Sequence, residues 1–224
     1  MNKQGESEWW SGQRIITILT DWDSWILPWA EKLAFSINEN GDRAEIIYDI
    51  GKVKTGHICF ILGCTRILPN KILEKNLKNL IVHESALPSG RGFAPLTWQI
   101  LEGINIIPLC LIEAVAKTDE GPIVYKDTIE FEGHELCQEL RAAQGCKTID
   151  LCQRYIGSKK IPVATAQHGE STYYKRRKPE DSELDISRPI RDQLNLLRVV
   201  DNERYPAFFH ANGQNYKLTI EKII

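Results

Sequence analysis

The side chain best suited to chemistry in this sequence is His83. An imidazole titrates near neutrality, so it can accept and return a proton within one reaction cycle. His83 closes an apolar run, Leu80-Ile81-Val82, that reads as a short, fully buried strand. The residues after it carry Pro88, Gly90 and Gly92 and form a loop. Pro95 then suits the first turn of a helix, Leu96, Ile100 and Leu101 give it an apolar stripe, and Gly103 is placed to end it. An ionisable group at the carboxyl end of a strand, facing a glycine loop and a helix start, is a site candidate, because open α/β sheets bind ligands at that edge. The alternative is a core histidine bonded to a backbone carbonyl. Asp119, in Thr118-Asp119-Glu120-Gly121-Pro122, is a second candidate, although an acid near a glycine also has an ordinary use in turns. His134 and Cys137 have a spacing that could seat a metal on a helix face, but no second close pair completes a tetrahedral site. None of the six cysteines forms a C-x-x-C pair, which points to reduced thiols packed as small hydrophobes.

The elements that must position these groups follow the chain. Residues 1–13 read as a loose arm, with Trp9 and Trp10 available to tack it to a surface. Arg14 to Leu19 reads as a buried strand, followed by an acidic, tryptophan-bearing loop, Thr20-Asp21-Trp22-Asp23-Ser24-Trp25. A helix is predicted from Pro28 to about Asn38, stopped by Asn40-Gly41. Strands follow over 44–48 and 57–63, a short helix after Ile67-Leu68-Pro69, and the strand ending at His83. The alternation gives an α/β fold with a Rossmann-like, mostly parallel sheet. After Gly103 the pattern changes: 108–117 and 123–131 read as neighbouring strands joined by the loop that holds Asp119. An amphipathic helix runs over 135–156, where Gly145 is a possible interruption. The stretch 166–177 is irregular and turns basic at Lys175-Arg176-Arg177-Lys178, then acidic over 179–185. A helix over 189–200 and a hairpin turning at Asn212-Gly213 close the sequence. The organisation is therefore an arm over 1–13, a main domain over 14–178 and a helix-hairpin extension over 179–224.

Bulk properties bound the rest. At 224 residues with 42% apolar and 26% charged side chains, the chain has ordinary globular composition. A net charge of -2 argues against a dedicated nucleic-acid surface. No run of about 18 apolar residues is present, and the first ten residues carry charges where a signal peptide needs an apolar core. A cytoplasmic protein with no membrane span is the expectation.

The loop His83-x-Ser85-x-Leu87-Pro88 followed by Arg91-Gly92 resembles the signature of N10-formyltetrahydrofolate-dependent formyltransferases. In that family an Asp-x-Gly turn lies a few dozen residues on, and Asp119-Glu120-Gly121 matches it. Ile67-Leu68-Pro69 resembles the segment that lines the pterin pocket. Arg176 to Asp181 with Asp185, then Asn195 and Arg198, then Tyr205-Pro206-Ala207-Phe208, is similar to a segment shared by sugar-nucleotide and methionyl-tRNA formyltransferases. The likeness spans roughly residues 14–220. It implies the formyltransferase fold, N10-formyltetrahydrofolate as formyl donor, and His83 with Asp119 as the catalytic pair. It further implies a folate site from Ile67, Leu68, Pro69, Glu113, Thr118 and Asp119, and an acceptor site from Ser85, Arg91, Gly92, Lys175, Arg176, Asn195 and Arg198.

One departure bears on mechanism. The family normally places asparagine two residues before the histidine, where it helps hold the formyl oxygen, and here that position is Ile81. Losing such a donor costs about 2.7–4 kcal/mol, so a substitute is needed, for example a backbone N–H of the loop over 84–92. Formyltransferases of the pseudaminic-acid pathway type also combine His-Glu-Ser-x-Leu-Pro with an aliphatic residue there.

The implied reaction is attack of a primary amine on the formyl carbon, with His83 stabilising the oxyanion or relaying the amine proton and Asp119 orienting the ring. Methionyl-tRNA formyltransferases carry a further basic domain, whereas this chain stops at Ile224 and is slightly acidic, so a tRNA acceptor is not expected. Glycinamide ribonucleotide formyltransferases put a glycine-rich phosphate loop after the first strand, where this sequence has Asp21 and Asp23. A nucleotide-linked amino sugar is the acceptor left, with Arg91, Lys175, Arg176 and Arg198 as diphosphate ligands and the two acids free to bind sugar hydroxyls or an ammonium. The alternatives are another acceptor in the same enzyme class, or a formyltransferase-like binding protein without catalysis. A monomer or homodimer is expected.

Overall fold

A computed structural model describes residues 12–223. Trp9, Trp10 and nearly all of the expected arm lie outside the described residues. In chain order the elements are β1 (Ile15–Leu19), α1 (Leu27–Glu39), β2 (Arg43–Ile47), β3 (Gly56–Ile61), α2 (Asn70–Leu73), β4 (Asn76–His83), β5 (Arg91–Gly92), α3 (Pro95–Leu101), β6 (Ile106–Glu113) and β7 (Ile123–Glu130). They continue with α4 (Cys137–Gly157), β8 (Tyr173–Tyr174), α5 (Leu194–Val199), β9 (Ala207–Ala211) and β10 (Gln214–Leu218).

Six strands form one mixed sheet in the order β2-β1-β3-β4-β6-β7. The first four run parallel, and β6 and β7 are antiparallel to their neighbours. The side chains explain the difference. Ile16, Ile18 and Leu19 of β1 are all buried, because a parallel sheet covered on both faces wants an apolar strand throughout. In β7 burial is intermittent, with Ile123 and Ile129 inward and Lys126, Thr128 and Glu130 outward or partly so, as suits a strand with one face open to water.

On one face the large core joins Ile16, Ile18, Leu80, Ile107 and Leu109 to Ala30, Leu33 and Ile37 of α1 and to Leu140, Cys152 and Tyr155 of α4. On the other face a smaller core joins Leu19, Cys59 and Ile61 to Leu68 and Ile72 around α2. Each fully buried aliphatic side chain contributes about 1.5–3 kcal/mol of transfer free energy.

Two sequence expectations need correction. Gly145 does not interrupt α4; the helix runs straight through it, and a Cβ there would overlap the Trp29 ring of α1. Glycine at this point is the price of bringing α1 and α4 together. The helix expected over 189–200 is a 3-10 turn over Ile190–Gln193 followed by the short α5. The closing hairpin forms as read, with Asn212 and Gly213 at positive φ in the turn. Leu184, Leu197, Val200 and Ala207 give this terminal region its own small core. No helix among the described residues is long and apolar enough to cross a membrane.

Candidate functional site

His83 is the last residue of β4 and is 5% exposed. Its Nε2 lies 2.8 Å from the Gly90 carbonyl oxygen. A carbonyl only accepts, so Nε2 carries the hydrogen and Nδ1 is left as the nitrogen whose protonation can change. Nδ1 stands 3.6 Å from Oδ1 of Asp119. The two alternatives weighed for His83 thus coexist in one ring: the carbonyl bond fixes its orientation and tautomer, and the free nitrogen faces a carboxylate.

Asp119 is 8% exposed and sits at φ 54°, in the left-handed region. Its Oδ2 accepts from the Gly92 N–H at 2.9 Å. Its own carbonyl, and that of Gly121, accept from the Gln167 side-chain amide at 2.6 and 2.8 Å. The turn is pressed against β6: the Glu113 N–H donates to the Pro122 carbonyl, and a Cβ at Gly121 would overlap the Glu113 carbonyl oxygen. Gly121→Ala should therefore displace the turn, with an overpacking cost of about 1–3 kcal/mol. Thermal melting would report that cost, and a matching loss of activity would report the displaced carboxylate.

The stretch over 166–177, irregular in the sequence, is the strap that holds the site together. Residues 173–174 pair with residues 91–92 as β8 on β5. Thr172 accepts from the Gly90 N–H through its hydroxyl and from the Arg91 N–H through its carbonyl. The Trp98 indole N–H donates to the Lys175 carbonyl. Gly92 faces the Tyr174 carbonyl so closely that a Cβ would overlap it, and its φ of 101° suits glycine alone. No periodicity signals this strap, since its contacts come from single residues.

His83 and Asp119 line a cavity of about 860 Å³ along the carboxyl ends of β1, β3 and β4. Among the residues singled out from the sequence, Ile67, Leu68, Gly92, Glu113, Thr118 and Arg176 also line it. Ile81 does too, packed among Leu87, Cys110 and Ile112, so the place of the family asparagine is an apolar wall.

Several expected residues lie elsewhere. Pro69 caps α2, and Ser85 is buried without lining the cavity. Arg91 is held by Gln167 at 2.7 Å and Glu120 at 3.2 Å, and Lys175 by Asp181 at 2.9 Å. Asn195 and Arg198 do not line the cavity either: Arg198 is buried and bonded to Glu135, Asn105 and Asn195. Asp21 and Asp23 line the cavity, but each has a cationic partner in the chain, Arg66 and Arg204 respectively. Burial alone would raise the Asp21 carboxyl, but bonds from the Thr65 N–H and hydroxyl and from Arg66 outweigh it and hold it below the usual range. The backbone donors proposed to replace the asparagine are also largely spoken for, because the N–H groups of residues 89 to 93 are all bonded within the protein.

The cavity gains residues that the sequence did not single out: Glu84, Arg141, Gln144 and Arg177. Arg141, Gln144 and Thr148 recur on one face of α4, a helical spacing whose meaning shows only once β4 is seen to end beneath it. Among the described residues no group of three or more His, Cys, Asp or Glu could hold a metal ion; His134 instead bonds Glu132 and Lys222.

Comparison with solved structures places the fold. A methionyl-tRNA formyltransferase from Clostridium thermocellum superposes with a TM-score of 0.79 at 24% identity, covering 94% of this chain and 93% of that one. A sugar N-formyltransferase from a Shewanella species gives a TM-score of 0.70 at 12% identity over 94% of this chain and 98% of its own. HypX from Aquifex aeolicus, solved in complex with tetrahydrofolic acid, gives 0.71 at 18% identity over 92% of this chain and 37% of its own. These likenesses show the α/β formyltransferase fold. A family model described as formyl transferase matches residues 32–144, just over half of the sequence and including both His83 and Asp119, and on that match the chain belongs to the formyl transferase family.

Proposed function

We propose that this formyltransferase moves a formyl group from N10-formyltetrahydrofolate to the primary amine of a nucleotide-linked amino sugar. The observation that carries the proposal is the placement of the His83–Asp119 pair in one cavity between an apolar slot and a pair of arginines. The slot is lined by Ile61, Leu68, Leu73, Ile81, Ile112 and Val115, with Glu113 and Thr118 as polar groups at its edge. A mostly apolar recess with a few polar groups suits a pterin ring. The bound folate supplies the activated formyl group.

The chain's own residues then do three things. His83, with Nε2 committed to the Gly90 carbonyl, offers Nδ1 to stabilise charge on the formyl oxygen or to carry a proton between nitrogens. Asp119 keeps a negative charge beside that nitrogen. Ile81 and Ile112 present apolar surface in the same cavity, with no hydrogen-bonding side chain to compete for the formyl group.

Arg176 and Arg177 line the remaining side. Arg176 has no acidic partner among the described residues and rests over the Phe93 ring at 5.4 Å. Planar guanidinium groups bind phosphates in bidentate fashion. Arg176 keeps the diphosphate role expected of it, and Arg177 joins it in place of Arg91, Lys175 and Arg198. Replacing Arg176 by Gln should raise the KM for the nucleotide sugar roughly ten- to hundredfold, matching a charged hydrogen bond worth about 1.5–3 kcal/mol, and leave folate affinity unchanged. Steady-state kinetics with each substrate varied in turn checks this.

The function is tested by supplying formylfolate with a panel of nucleotide-linked amino sugars, methionyl-tRNA and glycinamide ribonucleotide, and reading products by mass spectrometry. Formylated nucleotide sugar is the expected result. Formylation of only one of the other acceptors, or of none, overturns it.

A further inference from the structure

Glu84 follows His83 directly and lines the same cavity. Along β4, Ile81 packs with the apolar groups on the α2 side, whereas Leu80 and Val82 pack with the large core under α1 and α4. β4 ends at His83, so Glu84 stands in the bend just beyond the strand. Glu84 lines the cavity together with Gln144 of α4, whose side-chain amide favours the charged form of its carboxyl group. The Glu84 carbonyl accepts from the Gln99 side chain of α3 at 2.6 Å, which fixes its backbone.

The carboxyl group has no ion-pair partner among the described residues. His83 at the end of β4 and Asp119 in the β6–β7 turn act on it electrostatically, and Arg141 on α4 and the strap residues Arg176 and Arg177 line the same cavity. Arg141 is taken by Asp201 at 2.7 Å, and Arg177 is bonded to the Asp181 carbonyl and the Ser182 hydroxyl. Burial, opposed in part by His83 and by the Gln144 bond, holds the Glu84 carboxyl above the usual carboxylate range. A part-buried carboxylate on a cavity wall without a cation is unfavourable unless a ligand brings one.

Resting on the amino-acceptor function proposed above, we infer that Glu84 binds the acceptor's ammonium group and is the base that removes its first proton. Unperturbed amines titrate at about 8 to 10, so at neutral pH the acceptor arrives mostly as an ammonium ion with no lone pair to attack with. The Glu84 carboxylate takes one proton and frees the lone pair. That pair forms the new C–N bond to the formyl carbon, and the bond from that carbon to the folate nitrogen breaks with its electrons kept on that nitrogen. The second amine proton passes through His83 to the folate nitrogen. Glu84 then returns its proton to water, and one proton is released per turnover. The two neighbours thus divide two protons between them.

The test compares wild type with Glu84→Gln and Glu84→Asp, measuring formylation of the nucleotide-linked amino sugar from pH 6 to 10. Glu84→Gln keeps the size of the side chain and removes the base. Its kcat/KM should fall at least about a hundredfold at pH 7, and the deficit should shrink as pH rises past the amine's own pKa. Glu84→Asp should keep the wild-type pH profile with a smaller loss. A second readout is independent of activity. Because the fold raises the Glu84 pKa, its ionised form weakens the folded state, by an amount that is absent below about pH 4 and grows as pH rises. Glu84→Gln should therefore melt higher than wild type at pH 7 and no higher at pH 4. A Glu84→Gln enzyme within threefold of wild type at pH 7, or one whose loss is the same at every pH, overturns the inference while the formylating wild type keeps the proposed function standing. If wild type formylates no nucleotide-linked amino sugar, the function falls and takes this inference with it.

Discussion

Replacing His83 by Ala should lower kcat by about 10²–10⁴-fold, the usual contribution of a positioned acid or base. In barrier terms that is roughly 3–5 kcal/mol. The loss should appear in kcat and in kcat/KM alike, because Nδ1 acts on charge that develops only as the bond forms. Folate affinity, followed by fluorescence quenching, should stay within a few-fold, since the apolar slot over Ile61, Leu68 and Ile112 is untouched. Removing the ring also leaves the buried Gly90 carbonyl without its partner, at a stability cost of about 1–3 kcal/mol. Melting curves separate that cost from the kinetic one. Asp119→Asn distinguishes charge from position: the Gly92 N–H can still donate to the amide oxygen, so the turn holds while the negative charge beside Nδ1 is gone. Turnover near the wild-type value in either variant would remove the pair from the chemistry.

Replacing Arg198 should do the opposite, sparing the chemistry and weakening the fold. Arg198 is 1% exposed, and burial works against its charge while Glu135 favours it. Its guanidinium reaches Asn105 at 2.9 Å, Asn195 at 3.1 Å, the Glu135 carbonyl at 3.2 Å and the Glu135 carboxylate at 3.3 Å. One side chain therefore ties α5 to the loops before β6 and α4. The Glu135 carboxylate also accepts from the N–H groups of Glu132 and Gly133, so it stays in place when its cation is removed. Breaking a buried pair in this way costs about 3–5 kcal/mol. For a chain of this length that is a fall of roughly 6–20 °C in Tm, at about 2–4 °C per kcal/mol. Arg198→Met should show that fall in calorimetry, with KM for the acceptor unchanged at temperatures where the variant is folded. A large rise in KM with no change in Tm would return Arg198 to the acceptor site, where the family resemblance had put it.

The case of Arg198 marks where sequence stops being informative. A motif match aligns an arginine but does not say whether its guanidinium faces a ligand or another part of the chain. That depends on whether Glu135 and Asn105, 63 and 93 positions away, fold against it. The same holds for Asp21 and Asp23, whose partners Arg66 and Arg204 are brought to them by the fold.

What the sequence determined by itself is local and periodic. The apolar runs of β1, β3 and β4, the Pro95 helix start, the alternation of β7 and the Asn212-Gly213 turn each carry their signal within a few residues, because backbone geometry and solvent exposure act on neighbours first. The likeness around His83 and Asp119 belongs to the same class, being a pattern along one line. The tertiary structure alone decided what those residues meet. It set Nδ1 beside the carboxylate by laying the strap over 166–177 across both turns. It placed Gly145 under Trp29, set Glu84 beside His83 on the wall of one cavity, and brought Arg176 and Arg177 to that cavity while burying Arg198 outside its lining. Side-chain environment is a sum over groups distant in the chain, and no window of neighbouring residues contains that sum.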